Sequence, residues 1–128
     1  MQFFQRLRAY YEDDAVVCSH AGVPAGSPGE RSFNELVLGS HPELFHPHPQ
    51  AAKFNICGHY PQKDFRPYQK ADVICLDTGC GTLPNGRLTA LLFPEMLFVQ
   101  VNAVGGIEWL SGQPSCSIPV RPHKIASV

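Results

Sequence analysis

Three short segments constrain this chain most: Val16-Val17-Cys18-Ser19-His20-Ala21-Gly22, Phe54-Asn55-Ile56-Cys57-Gly58-His59-Tyr60-Pro61 and Ala71-Asp72-Val73-Ile74-Cys75-Leu76-Asp77-Thr78-Gly79-Cys80. Each is a run of β-favouring, largely apolar residues that stops on a histidine or an aspartate beside glycine. A strand without polar alternation is buried on both faces, which is the habit of parallel strands in α/β proteins. The ends of such strands are where metal-binding and catalytic groups collect. Taken singly, a polar residue followed by glycine is simply how a buried strand stops. Taken together, His20, His59 and Asp77 are a candidate cluster: two imidazoles to hold a metal and a carboxylate to orient them.

The chain has 128 residues, enough for one domain with a real core. Ten basic and eleven acidic side chains give a formal charge of −1. They are spread without runs, so there is no electrostatic footprint for nucleic acid or an anionic membrane surface. No apolar stretch approaches the roughly 20 residues of a membrane helix, and the N-terminus lacks the basic-then-apolar layout of a secretory signal. A cytoplasmic location is the default expectation. The five cysteines are an odd number, and Cys18, Cys57 and Cys75 lie within apolar runs. They read as reduced, structural thiols rather than a disulfide framework, and no C-x-x-C pair points to a zinc knuckle.

Along the chain, Phe3, Phe4, Leu7, Tyr10 and Tyr11 recur at helical spacing and predict a core-facing helix over Met1 to Tyr11. Glu12-Asp13-Asp14 turns into a strand from Ala15 to Ser19, and the Gly- and Pro-rich stretch Ala21 to Arg31 is a loop. Ser32 with Glu35 has capping-box spacing for a short helix through Leu38, stopped by Gly39. Ser40 to Gln50 reads as an irregular, exposed loop in which His41, His46 and His48 each precede a proline. A His46/His48 metal clip would lack a third ligand. Further strands are expected at Lys53 to Cys57, Val73 to Leu76 and Leu97 to Val101, with a charged crossover loop from Pro61 to Lys70. Asn85-Gly86 favours a type I′ hairpin joining Gly79–Leu83 to Leu88–Phe93. Residues 1–104 form the domain and 105–128 an irregular tail, with Ile107, Trp109 and Leu110 docking on the body.

In that order and spacing, three motifs resemble the C-terminal half of a calcineurin-like metallophosphoesterase, in the branch that includes bacterial serine/threonine protein phosphatases and diadenosine tetraphosphatases. Cys18-Ser19-His20-Ala21-Gly22 is similar to the family's first strand-histidine segment and Cys57-Gly58-His59 to its Gly-His-Thr segment. Leu76-Asp77-Thr78-Gly79-Cys80 with Gly86-Arg87-Leu88-Thr89-Ala90-Leu91 is similar to its closing Asp-Thr-Gly and hairpin. The resemblance implies half of a layered α/β sandwich: a mixed sheet, parallel near the histidine strands and antiparallel at the C-terminal hairpin, with helices on one face. It covers Met1 to about Val101. The family's Asp-x-His, Gly-Asp-x-x-Asp-Arg-Gly and Gly-Asn-His motifs do not occur in this sequence.

By this resemblance, His20 and His59 would ligate one metal of a dinuclear pair, Mn, Fe or Zn, with Asp77 orienting a ligand or bracing the strand end. Ser19 and Tyr60 are candidates for the substrate pocket. The chemistry implied is phosphoester hydrolysis by a metal-activated water. Two imidazoles without a carboxylate bridge cannot hold two cations, so the isolated chain is expected to be inactive or nearly so, and a phosphorylated substrate would be turned over only with the N-terminal half supplied. The segment Leu36 to His41 lacks the arginine with which relatives grip phosphate, and Tyr60 stands where Thr is usual, narrowing the pocket. Two other readings stand beside this one: a non-catalytic interaction module or decayed paralogue that self-associates through an exposed sheet edge, and a mononuclear site of His20, His59 and Asp77.

Overall fold

The computed structural model describes residues 3, 6–46 and 52–112. They form strands β1 (Tyr10–Glu12), β2 (Val16–Ser19), β3 (Phe54–Cys57), β4 (Tyr68–Lys70), β5 (Val73–Cys75), β6 (Leu88–Leu92), β7 (Leu97–Val101) and β8 (Ile107–Ser111), with a short helix α1 (Phe33–Leu38). The class is mixed α/β, mostly sheet with few helices. One five-stranded sheet runs in the order β1-β2-β3-β5-β4, and β6-β7-β8 make a three-stranded antiparallel sheet. β2, β3 and β5 are mutually parallel, while β1 and β4 flank them antiparallel.

The parallel strands are the three apolar runs singled out above, and each of their faces has cover. Side chains alternate along a strand. Val17 therefore packs with Val23 and Leu36 of α1 on one face, while Val16, Phe54 and Ile74 meet Met96 and Phe98 on the other. α1 starts where its cap requires: the Glu35 N–H donates to Ser32 Oγ at 3.2 Å and the Ser32 N–H donates to Glu35 Oε2 at 2.9 Å. Asn55, buried in β3, holds the loop that follows β2: its side chain donates to Val23 O at 2.6 Å and accepts the Val23 N–H at 3.2 Å.

Several expectations are corrected. Tyr10 and Tyr11 belong to β1, not to a helix, because Asp13 closes a turn that folds them onto β2. Asp13 Oδ1 accepts from the Ala15 and Val16 N–H groups, and Oδ2 accepts from the Tyr11 hydroxyl. Of the predicted stripe, Phe3 and Leu7 are exposed, Tyr10 packs against Val17, Val23 and Leu36 from its place in β1, and Phe4 lies outside the described residues. The Asn-Gly pair does not make a type I′ hairpin. The Gly86 N–H donates to Leu83 O, with Asn85 at φ +64° between them, so Pro84 and Asn85 occupy the centre of a type II turn. Gly86 is needed there because a Cβ would lie 1.9 Å from Gly79 O. Only isolated bridges join Thr78 and Gly79 to Arg87, and β6 pairs instead with β7. The crossover loop contains β4. The expected irregular tail begins instead with β8, where Leu110 packs on the core while Ile107 and Trp109 are exposed; residues 113–128 lie outside the described residues.

Register gives the second sheet an unusual outer face. Leu88, Ala90 and Leu92 stand opposite Val101, Val99 and Leu97, which stand opposite Ile107, Trp109 and Ser111. Antiparallel sheets with one solvated face normally turn polar residues outward. Here that face carries no charge, and Leu88 is 62% and Trp109 58% exposed. The inner face carries a buried polar network instead. The Gln100 side-chain amide donates to Phe65 O at 2.9 Å and Thr89 Oγ1 at 2.8 Å, and its oxygen accepts from Arg87 at 3.2 Å. Thr78 Oγ1 donates to Arg87 O at 2.6 Å, tying the end of the first sheet to this group.

Both the Gln100 network and the Asp13 turn can be tested by substitution. Gln100→Leu strips the partners of several buried polar groups at once and is expected to cost about 1–3 kcal/mol, read from urea unfolding midpoints; an unchanged midpoint would show that the network contributes nothing. Hydrogen bonds from Ala15, then Val16, hold the exposed Asp13 carboxyl below its ordinary value of 3.8. A carboxyl with a lower folded than unfolded pKa stabilises above the unfolded value, and that contribution is lost as pH falls through the folded one. Asp13→Asn should therefore lower thermal stability at neutral pH and flatten its fall below about pH 4. A variant with the same acid slope as the parent contradicts this.

Candidate functional site

His20 follows β2, and His59 follows β3 after Gly58. Past the ends of these strands the Gly58 N–H donates to His20 O at 3.0 Å, one residue out of the register that the Phe54 N–H sets on Ala15 O. That bond brings the two histidine backbones to neighbouring positions. Their rings meet edge to face, with centroids 5.1 Å apart at 74°, and His59 Nδ1 is 3.3 Å from His20 Nε2. His20 is exposed and His59 half-buried. His59 has φ +66°, a left-handed conformation unusual for a residue with a side chain, which the surroundings must hold in place.

The separation fits metal ligation. Two nitrogens each about 2.1 Å from one tetrahedral ion stand about 3.4 Å apart. Without an ion the same pair can share one proton, one ring donating and the other accepting. Among the described residues, no group of three or more His, Cys, Asp or Glu side chains is arranged to hold a metal.

The other predicted residues take different places. Asp77 Oδ1 accepts the Gly79 N–H at 2.9 Å, and its main-chain oxygen accepts the Gln62 N–H at 2.8 Å. It braces the strand end and anchors the loop that carries His59. Ser19 Oγ is buried without a hydrogen-bond partner among the described residues. An open cleft of about 1070 Å³ brings together Ser19, His20, His59 and Asp77 with the apolar Cys18 and Ile56. Tyr60 is not in its wall but behind it. Its hydroxyl donates to Ala21 O at 2.9 Å and accepts the His41 N–H at 2.8 Å.

His41, expected in an exposed loop, is instead 9% exposed, its Nε2 2.8 Å from Glu35 O. Its neighbours Pro42–Phe45 form a 3-10 turn, and His46 is exposed; His48 lies outside the described residues. Arginine does reach the cleft from elsewhere, as Arg8 and Arg87, the latter paired with Glu108. Beneath the loop, the Cys75 thiol donates to Gly58 O at 3.4 Å and Tyr60 O at 3.5 Å. A hydrogen bond with Cys75, then burial, push the Cys57 thiol up and keep it protonated. Cys18, Cys57, Cys75 and Cys80 are all free thiols, in keeping with the apolar runs around the first three. The sequence signal for His41 and Tyr60 is too local to read: both act through backbone groups of distant segments.

No family model, curated protein or solved structure matches this chain.

Proposed function

We propose that this chain is a metal-binding portion of a metal-dependent phosphoesterase, in which His20 and His59 hold one divalent cation. The observation that carries this reading is the 3.3 Å separation of His59 Nδ1 and His20 Nε2 at adjacent strand ends. When bound, a divalent cation such as Mn, Fe or Zn activates water and polarises phosphoryl oxygens. The chain's own part is to present two imidazoles at fixed spacing and to offer a cleft floored by apolar side chains beside them. Asp77 keeps the loop of His59 in register through Gln62. With two ligands among the described residues, hydrolysis by the isolated chain is absent or very slow, and the substrate class is a phosphomonoester or phosphoprotein.

A second reading, a non-catalytic interaction module, is favoured by the outer face of β6-β7-β8. The edge strands β1 and β4 have three residues each, short templates for strand addition. The uncharged face is the larger feature, and its self-complementary occupant is a second copy of this chain. Three strands of five residues span roughly 17 by 14 Å. With protruding Leu and Trp side chains, two such faces bury on the order of 1,000 Å², the lower bound for a specific reversible interface.

Calorimetric titration with Zn²⁺ and Mn²⁺ tests the first reading: saturable binding weakened at least about tenfold by His20→Ala and by His59→Ala is expected, alongside negligible release of para-nitrophenol from its phosphate ester with added Mn²⁺. Binding indifferent to both substitutions would overturn it. For the second reading, sedimentation velocity over a dilution series should show a monomer–dimer equilibrium that Trp109→Lys abolishes; a parent chain that stays monomeric at the highest concentration removes it.

A further inference from the structure

We propose that Tyr60 is the positioning residue that sets the spacing of His20 and His59, its hydroxyl fixing the backbone beside His20 and its ring fixing the imidazole of His59. This rests on the metal-ligand reading of the pair. The hydroxyl uses both of its natural roles. It donates to the main-chain oxygen of Ala21, the residue after His20, and accepts the N–H of His41. His20 is thus tied on both sides: its own carbonyl accepts from Gly58, and the next carbonyl accepts from Tyr60. The loop is secured a third time where the Ala21 N–H donates to Leu36 O of α1 at 2.8 Å.

The ring works on the other histidine. Tyr60 meets His59 edge to face at 5.2 Å and 86°. It also meets Phe45 at 5.0 Å and 82°, and Phe45 meets Tyr68 of β4 at 5.0 Å and 82°. With the His20–His59 contact, this is a row of five rings, each steeply inclined to the next. Edge-to-face pairs are attractive beyond their buried area. Such a row holds an imidazole whose own backbone is in the strained left-handed region. Rotation of His59 away from His20 would break its packing on Tyr60 at the same time.

Other residues would not serve. A Thr at position 60 could not span to Ala21 O and His41 N–H while filling the space between His59 and Phe45. Tyr60 also stays out of the cleft, so its effect on bound ions passes through the two histidines alone.

The test uses the full chain and reads the rings directly as well as the metal. In the parent chain, proton–proton Overhauser effects between the His20 and His59 rings are expected, and Co²⁺ added as a probe should give a visible absorption band that depends on both histidines. Tyr60→Phe removes the hydroxyl bonds and Phe45→Leu breaks the row while leaving the hydroxyl. Each should weaken or remove the Overhauser effects, lower Co²⁺ affinity about 10- to 100-fold, as substituting a residue that orients a ligand does, and shift the absorption band. Trp109→Lys, on the outer face of the second sheet and outside the cleft wall, should leave all three unchanged. Parent-like Overhauser effects, affinity and band in both Tyr60→Phe and Phe45→Leu would overturn the positioning role while leaving the metal reading intact. Overhauser effects that vanish in the two variants, together with a parent chain that does not bind Co²⁺, would overturn the metal reading and leave Tyr60 as the residue that spaces the two imidazoles. A parent chain with no Overhauser effect between the rings would overturn the positioning role outright.

Discussion

The site depends on one main-chain hydrogen bond, from the Gly58 N–H to His20 O. It joins the chain just past β2 and β3, one residue out of their ladder, so two histidines that follow separate strands become direct neighbours. On the other side of β3 the ladder does continue in register, where the Leu76 N–H donates to Cys57 O at 2.8 Å. Strand order then decides what can touch what. β5 lies beyond β3, so Asp77 is two strand spacings, about 10 Å, from the strand of His20. The carboxylate is therefore on the right edge of the sheet but on the wrong strand to meet both rings. It satisfies itself locally on the Gly79 N–H, and it is the main-chain oxygen of Asp77 that accepts the Gln62 N–H of the loop carrying His59.

The central strands and α1 are legible in the sequence because their signals are local and uncontested. Val16–Ser19, Phe54–Cys57 and Val73–Cys75 are apolar on both faces and sit in a parallel core that needs both. Ser32 and Glu35 carry all the information their cap requires. The failures share a cause as well. Tyr10–Glu12, Tyr68–Lys70 and Ile107–Ser111 are edge strands whose pairing is dictated by a partner rather than by their own pattern. At Leu83-Pro84-Asn85-Gly86, two turn rules compete. Pro84 presets the first central dihedral of a type II turn, so Asn85 takes the positive φ that a type I′ turn would give to both Asn and Gly.

The site itself is half readable. Histidines at strand ends can be found by pattern, whereas the residues that aim them cannot. Tyr60 and His41 are linked to Ala21 and Glu35 by bonds spanning up to 39 positions of sequence. His41 shows how misleading composition can be: a His-Pro-rich stretch looks solvated, yet the ring is buried because a helix-end carbonyl, Glu35 O, supplies its partner. Burial of a polar ring is tolerable only with such a partner.

The histidine cleft and the uncharged outer face meet at Leu88, which lines the cleft and begins the outer row of β6, while Trp109 lies outside the cleft wall. Phe98 and Leu110 point inward to the core shared with Val16, Phe54 and Ile74, and Val99 and Trp109, one residue away on the same strands, point outward. A one-residue alternation therefore separates the core side of the second sheet from its outer face by the thickness of the sheet. The imidazoles lie at the ends of β2 and β3, where the second sheet contributes Arg87, Leu88 and Leu91 to the cleft wall. A change at Trp109 alters the outer face without touching a residue that holds His20 or His59. The outer face can thus be varied at Trp109 without changing the cleft wall, whereas a change at Leu88 alters both.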